Sequence, residues 1–392
     1  MLSRPRYGIP RGEHPMVAVG VVRLNSRHVR AKIFEGVGNA VDADRRLELA
    51  ARVRARSELD PCFMTSPPPL DPLEQPFFIA SPVAGLKLFL RYLPPRGVAQ
   101  DKLKVVLFVH GGTFPSALSI AHRFDGRSWR DELVDEGFHV WGLDFQGFGA
   151  SDPYPEMSQP AENQPALGQA GPASEQLESA ARFICEHQRV PKISIIAHSW
   201  GTLATGHFAG RCPELIERLV FFAPIARRQK PAEPKMYPAW RLVSLQDQWD
   251  RFTQDVPPHE PAVLNRRQFE EWGERYLDTD AESRMRSPAS VKTPSGPWQD
   301  IARAGAGQFT GDPARIQAPV GIIRGEWDQA CTEADAGGLF DALRNSPGRR
   351  LVKISRATHL MHLEESRYAL YREAGLFLKG NDQPPKALFE PS

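Results

Sequence analysis

Ile193-Ser-Ile-Ile-Ala-His-Ser-Trp-Gly-Thr-Leu-Ala204 is the stretch on which the reading of this chain turns. Its first half is an apolar strand. Its second half, from Trp200 to Gly210, is rich in small residues and predicts a helix. Between them lies Ala197-His198-Ser199-Trp200-Gly201. A serine on a sharp strand-to-helix turn has its Oγ lifted above the sheet edge. That turn needs small residues two before and two after the serine, so that strand and helix do not clash. Ala197 and Gly201 fill those places. The five-residue pattern alone arises by chance; the strand before it and the helix after it give it weight. The plain alternative is a serine in an ordinary strand-to-helix turn.

Three further segments share the build of a strand running into a chemistry-bearing loop. Lys104–Val109 (KVVLFV) leads into His110-Gly111-Gly112-Thr113-Phe114. Glycines there let the backbone turn an N–H toward Ser199. Acyl transfer needs two such donors around a developing oxyanion. Trp200 N–H would supply one, and Gly112 or Thr113 the other; His110 reads as a residue that fixes the loop. Val320–Ile323 leads into Arg324-Gly325-Glu326-Trp327-Asp328. A carboxylate at a strand's C-terminal end sits at the edge where open α/β sheets place their ligands. Asp328 is the candidate partner of a base, with Glu326 as the alternative. The strand ending near Ile354 leads into Ala357-Thr358-His359. His359 is the candidate base. His198, pressed against Ser199 in a tight turn, and His362, one helical turn on, are expected to pack.

The order Ser199, Asp328, His359 and the loops around it resemble the α/β-hydrolase family. Asp144-Phe-Gln-Gly-Phe-Gly-Ala-Ser-Asp152 is similar to the DxxGxGxS turn of that family, with Asp144 and Asp152 as structural residues. The resemblance covers about residues 77–380. It implies a mostly parallel sheet flanked by helices, with a cap inserted between two strands. Ala197 stands where the family's pattern usually has glycine, a departure the family tolerates.

The rest of the chain agrees with that architecture. Phe77–Ile79, Leu86–Leu93, Phe138–Leu143, Leu219–Ala223 and Arg350–Ile354 read as further strands. Helical stretches at Ser128–Glu136, Ala173–His187, Glu333–Arg344 and Glu365–Leu378 alternate with them. Residues 224–313 break the alternation and read as a mostly helical insertion, the expected cap. The expected division is an N-terminal extension and Pro-rich joint at 1–75, a core at 76–223 and 314–380, and a tail at 381–392. The extension carries 12 Lys/Arg against 7 Asp/Glu over residues 1–60 and a predicted helix at 42–57. It could support a homodimer.

Composition narrows the function. Lys+Arg is 49 and Asp+Glu 47, a net charge of +2, which excludes the basic footprint of a general nucleic-acid binder. No apolar run approaches the roughly 18 residues of a membrane span. Met16–Val22 (MVAVGVV) reads as a strand rather than a signal. The four cysteines form no CxxC pair and suit a reducing, cytoplasmic compartment. Proline, at 36 of 392 residues, is roughly twice as frequent as usual. The expectation is a serine hydrolase of carboxylic esters or lactones that needs no metal or organic cofactor. Amidase, C–C bond hydrolase and acyltransferase chemistry use the same residues, and a non-catalytic ligand-binding module is the further alternative. Phe114, Trp240, Trp249 and Trp272 are expected on the wall of an apolar substrate pocket. All four loops lie outside 224–313, so the insertion is expected to set substrate range and leave the chemistry on a small ester intact.

Overall fold

Alternation along the strands sorts their side chains onto two faces. In β3 (Lys104–Val109), Val105, Leu107 and Val109 enter one core and Val106 and Phe108 the other. β5 (Ile193–His198) divides in the same way, with Ile193, Ile195 and Ala197 opposite Ile196. Near-continuous burial of this kind belongs to strands covered on both sides.

The structure is a computed structural model, whose described residues are 67–96, 103–228, 232–308 and 311–380. The chain divides into two units, Met1–Thr65 and Ser66–Ser392, and every described strand and helix belongs to the second. The expected N-terminal arm up to residue 66, with its helix at 42–57, and the tail at 381–392 lie outside the described residues.

Eight strands form one sheet. They are β1 (Gln75–Ala80), β2 (Lys87–Leu93), β3, β4 (Phe138–Asp144), β5, β6 (Ile216–Phe222), β9 (Val320–Gly325) and β10 (Arg349–Ile354). Their order is β1-β2-β4-β3-β5-β6-β9-β10. The β1–β2 and β2–β4 pairs are antiparallel, and from β4 onward every pair is parallel. Helices α2 (Ala170–Gln188), α3 (Gly201–Arg211) and α7 (Glu333–Ala342) cover one face through Leu177, Ile184, Phe208 and Leu339. Helices α1 (Trp129–Asp135) and α8 (Arg367–Lys379) cover the other through Trp129, Leu133, Leu370 and Phe377. The architecture is α/β, mostly parallel and wound on both sides. From β3 the chain moves to β4 on one side and then crosses to β5 on the other. The crevice at their C-terminal ends is therefore a topological switch point, the usual place for a ligand. Ser199 follows β5 there and the Gly111–Gly112 loop follows β3.

Between β6 and β9 the chain builds β7 (Trp240–Ser244), α4 (Leu245–Thr253), α5 (Arg266–Leu277), β8 (Ser290–Pro294) and α6 (Gly296–Gly305). The sequence suggests a mostly helical insertion with no strand-like run, and the structure adds a pair of strands, β7 and β8, joined antiparallel. Each strand has only five residues and few β-branched ones, and its partner lies far along the chain, so no local alternation announces it. Phe252, Phe269, Trp272 and Tyr276 pack together on Phe114, Leu118 and Leu360 of the main body.

Candidate active site

Ser199 adopts φ +52°, the left-handed region that side chains other than glycine rarely enter. Its N–H donates to Phe222 O at 3.2 Å, and its carbonyl accepts from Thr202 N–H at 2.9 Å, starting α3. A Cβ on Gly201 would lie 2.4 Å from the backbone oxygen of His110, so strand loop and helix approach too closely for any side chain there. Ala197 is fully buried in the sheet core, where a methyl fits.

Ser199 Oγ lies 2.7 Å from His359 Nε2. On the far side of the ring, Nδ1 lies 3.0 and 3.1 Å from the Asp328 carboxylate oxygens. A carboxylate only accepts, so Nδ1 carries the ring proton and Nε2 accepts from the Ser199 hydroxyl. Asp328 is fully buried, and its Oδ1 also accepts the N–H groups of Ala330 and Cys331, each at 2.9 Å. Glu326 is turned elsewhere, accepting Arg356 N–H at 2.9 Å. The His359 loop is held from behind by Glu364, which accepts both the N–H (3.0 Å) and the hydroxyl of Thr358. Burial pushes the Glu364 carboxyl up to about 7. His198 donates from Nε2 to the His359 carbonyl at 3.1 Å. Burial holds His198 well below the usual imidazole range and pushes His362 down to about 3. Both are neutral rings at ordinary pH, and neither bonds to Ser199.

His110 is fixed at both nitrogens: Nε2 accepts Phe145 N–H at 3.1 Å and Nδ1 donates to Gly111 O at 2.6 Å. A Cβ on Gly111 would meet His198 Nδ1 at 2.9 Å, and one on Gly112 would meet Pro297 Cβ at 2.7 Å. Among the described residues, the N–H groups of Gly112, Thr113 and Trp200 have no backbone acceptor. Asp144 accepts from Ser116 N–H (2.9 Å) and Ala150 N–H (3.2 Å), and Asp152 from Lys87 N–H (2.7 Å), so both brace the turn after β4. The sequence profile described as alpha/beta hydrolase fold matches residues 104–366. This chain belongs to the α/β-hydrolase fold family.

Solved α/β-hydrolase structures share its shape at low identity. The serine hydrolase CCSP0084 of the polyaromatic-hydrocarbon-degrading bacterium Cycloclasticus zankles is 16% identical, with 79% of this chain and 100% of that one covered and a TM-score of 0.53. DcsB, in complex with a substrate analogue, is 14% identical over 79% of this chain and 100% of its own, with a TM-score of 0.51. The thioesterase domain of the curacin biosynthetic pathway is 14% identical over 77% and 99%, with a TM-score of 0.50. These identities speak to fold. Comparison with curated proteins finds no match.

The inserted segment of this α/β-hydrolase reaches the serine turn directly. Asp300, in α6, accepts Trp200 Nε1–H at 2.9 Å and Ala170 N–H at 2.7 Å through one oxygen. No sequence signal points to Asp300: it is the one carboxylate of a short helix, a hundred residues from its partner.

The four aromatics expected on a pocket wall fare differently. Trp240 donates Nε1–H to Gln159 O at 2.9 Å and lies under Lys292. Trp249 packs on Phe269, with Arg266 above its ring at 4.2 Å. Both are half-buried, and Trp249 packs against the cluster that contains Phe114 and Leu360; neither ring has a hydrogen bond or ring contact with Ser199, His359 or Gly112. Phe114 and Trp272 are buried, their ring centroids 5.3 Å apart, and join the insertion to the body. Trp298 is the tryptophan of the inserted segment set beside Pro297, which packs on Gly112. No group of residues suited to a metal ion occurs among the described residues, nor a helix long and apolar enough to cross a membrane.

Proposed function

We propose that the protein is a serine hydrolase that cleaves a carboxylic ester or lactone through an acyl-enzyme. The observation that carries this reading is the unbroken chain from Ser199 Oγ through the His359 ring to the buried Asp328 carboxylate. His359 Nε2 takes the hydroxyl proton as Ser199 attacks the carbonyl. Asp328 holds the tautomer and stabilises the imidazolium that forms. The developing oxyanion is received by the N–H of Trp200 and by that of Gly112 or Thr113, donors with no backbone partner of their own. His359 then gives the proton to the leaving alcohol and activates water for deacylation. Residues 224–313 act as the cap over the site. The free-thiol cysteines fit a cytoplasmic protein. Gel-based labelling with a fluorophosphonate tests the nucleophile: wild type labels and Ser199→Ala does not. Labelling that survives Ser199→Ala sinks the assignment. Turnover of esters, lactones and amides with and without added alcohol separates hydrolysis from amide cleavage and acyl transfer.

A further inference from the structure

Around the loop after β3 the inserted segment gathers donors without an anion to match them. Arg251, in the last turn of α4, directs Nη1 at Thr113 Oγ1 (3.0 Å) and at Gln248 Oε1 (2.7 Å). Both partners are neutral, and both bonds leave from Nη1, so the Nε–Nη2 edge has no protein acceptor among the described residues. No carboxylate of the described residues lies within ion-pair distance of this guanidinium. Asp247, one turn earlier, acts on it electrostatically. That carboxylate is committed to capping α4, accepting Ser244 N–H at 2.8 Å and Ser244 Oγ–H at 2.7 Å. A second cation adds to the imbalance: Arg241 and Arg251 lie over the same Trp298 ring, at 4.8 and 5.0 Å from its centre. Trp298 Nε1–H is buried without an acceptor. So is the hydroxyl of Thr293, which faces Arg241 across the β7–β8 pair.

A guanidinium drawn out of water beside a like charge is costly unless an anion joins it. Packing pushes Arg251 down to about 10, which leaves it charged at neutral pH. Its position ties it to the chemistry. Thr113 follows Gly112 in the loop, the Cβ position of Gly111 lies 3.3 Å from Ser199 Cβ, and the charge of Arg251 is felt at His198, next to the serine.

We propose that Arg251 is a specificity-determining residue that receives a carboxylate on the substrate a few bonds from the scissile carbonyl, making an anionic ester or lactone the preferred class. The proposal rests on the reading of Ser199 as the acylated nucleophile. The free Nε–Nη2 edge presents two parallel donors, the geometry that matches a carboxylate in two hydrogen bonds.

The test compares kcat/KM for mono-p-nitrophenyl adipate and suberate with the matched hexanoate and octanoate, in wild type, Arg251→Gln and Arg251→Lys. Wild type is expected to prefer the anionic member of at least one pair. Arg251→Gln lowers that preference about 10- to 100-fold, as loss of a charged hydrogen bond predicts, and Arg251→Lys keeps part of it. Free adipate inhibits wild type competitively and loses potency in Arg251→Gln. A wild-type preference for the neutral ester in both pairs overturns the proposal. So does an equal loss on both members in Arg251→Gln, which would reduce Arg251 to a prop for Thr113. Inhibition by inorganic phosphate stronger than that by adipate overturns the carboxylate assignment. If no ester turns over and fluorophosphonate leaves Ser199 unlabelled, the nucleophile reading itself has failed, and the label distinguishes that outcome from the others.

Discussion

A serine held at φ +52° is kept there by its surroundings, and its hydroxyl contributes one hydrogen bond to a site built for chemistry. Ser199→Ala should therefore leave thermal unfolding unchanged while turnover of a p-nitrophenyl ester falls on the order of 10³-fold or more. Asp328→Asn changes what His359 Nδ1 meets: the amide N–H₂ competes with the ring N–H and favours the wrong tautomer. A drop of roughly 10⁴ in kcat is the scale for that change. A crippled Glu326→Gln beside an active Asp328→Asn would reverse the choice of carboxylate. Glu364 makes a prediction about stability. Its carboxyl is raised to about 7 in the fold, above the ordinary range near 4.5, because burial disfavours the charge. The folded state thus binds the proton more tightly than the unfolded chain. This contribution to stability is complete below about pH 4.5 and is lost as pH rises through 7, a change of a few kcal/mol in order of magnitude. Glu364→Gln stays neutral throughout, so its Tm should fall less than that of wild type between pH 5 and pH 8 in differential scanning fluorimetry. Parallel Tm profiles would show that Glu364 does not titrate in this range.

At the scale of elements, the close approach of α3 to the β3 loop leaves no room at Gly201. A methyl there meets a backbone oxygen at 2.4 Å, which no rotamer relieves. Gly201→Ala is expected to lose soluble expression or several degrees of Tm, and activity with it. Asp300 links α6 to the serine turn and to the start of α2. Asp300→Ala leaves Trp200 Nε1–H and Ala170 N–H unpaired in a buried place, each at a cost of about 1–3 kcal/mol. The expected result is a lower Tm together with a fall in kcat, because Trp200 carries a candidate oxyanion donor. An unchanged kcat at full folding would make Asp300 a structural tie only. These elements also divide what the sequence tells from what it conceals. Ser199, Asp328 and His359 each follow closely on a strand that the sequence marks out, so their convergence at one sheet edge follows from topology. Asp300, Arg251 and Trp298 come from α4 and α6, whose placement depends on how the insertion folds over the body. No local pattern encodes that. The same holds for β7 and β8, and for the pocket expected at Trp240 and Trp249. A half-buried aromatic that packs on its own segment and one that lines a pocket look alike in sequence.

For the whole molecule, the insertion changes standing once its contacts are known. The expectation that its removal spares the chemistry on a small ester rests on the motifs alone. Pro297 against Gly112, Asp300 against Trp200, and the aromatic cluster on Phe114, Leu118 and Leu360 all come from within residues 224–313. Replacing residues 232–308 with a short linker should expose those apolar side chains and abolish p-nitrophenyl acetate hydrolysis. A folded, soluble variant that retains the activity would return the insertion to a role in substrate range only. The distance along the chain between Ser199 and His359 has a consequence of another kind. They meet at 2.7 Å but are separated by 160 residues. On a ribosome adding about 5–20 residues per second, roughly 8–30 seconds pass between the synthesis of the two. Through that interval the nascent chain carries a serine turn with neither its candidate base nor the carboxylate behind it. Strands β9 and β10, which bring them, are among the last to join the sheet. A chain stalled before them would hold the serine turn with neither of its two candidate partners.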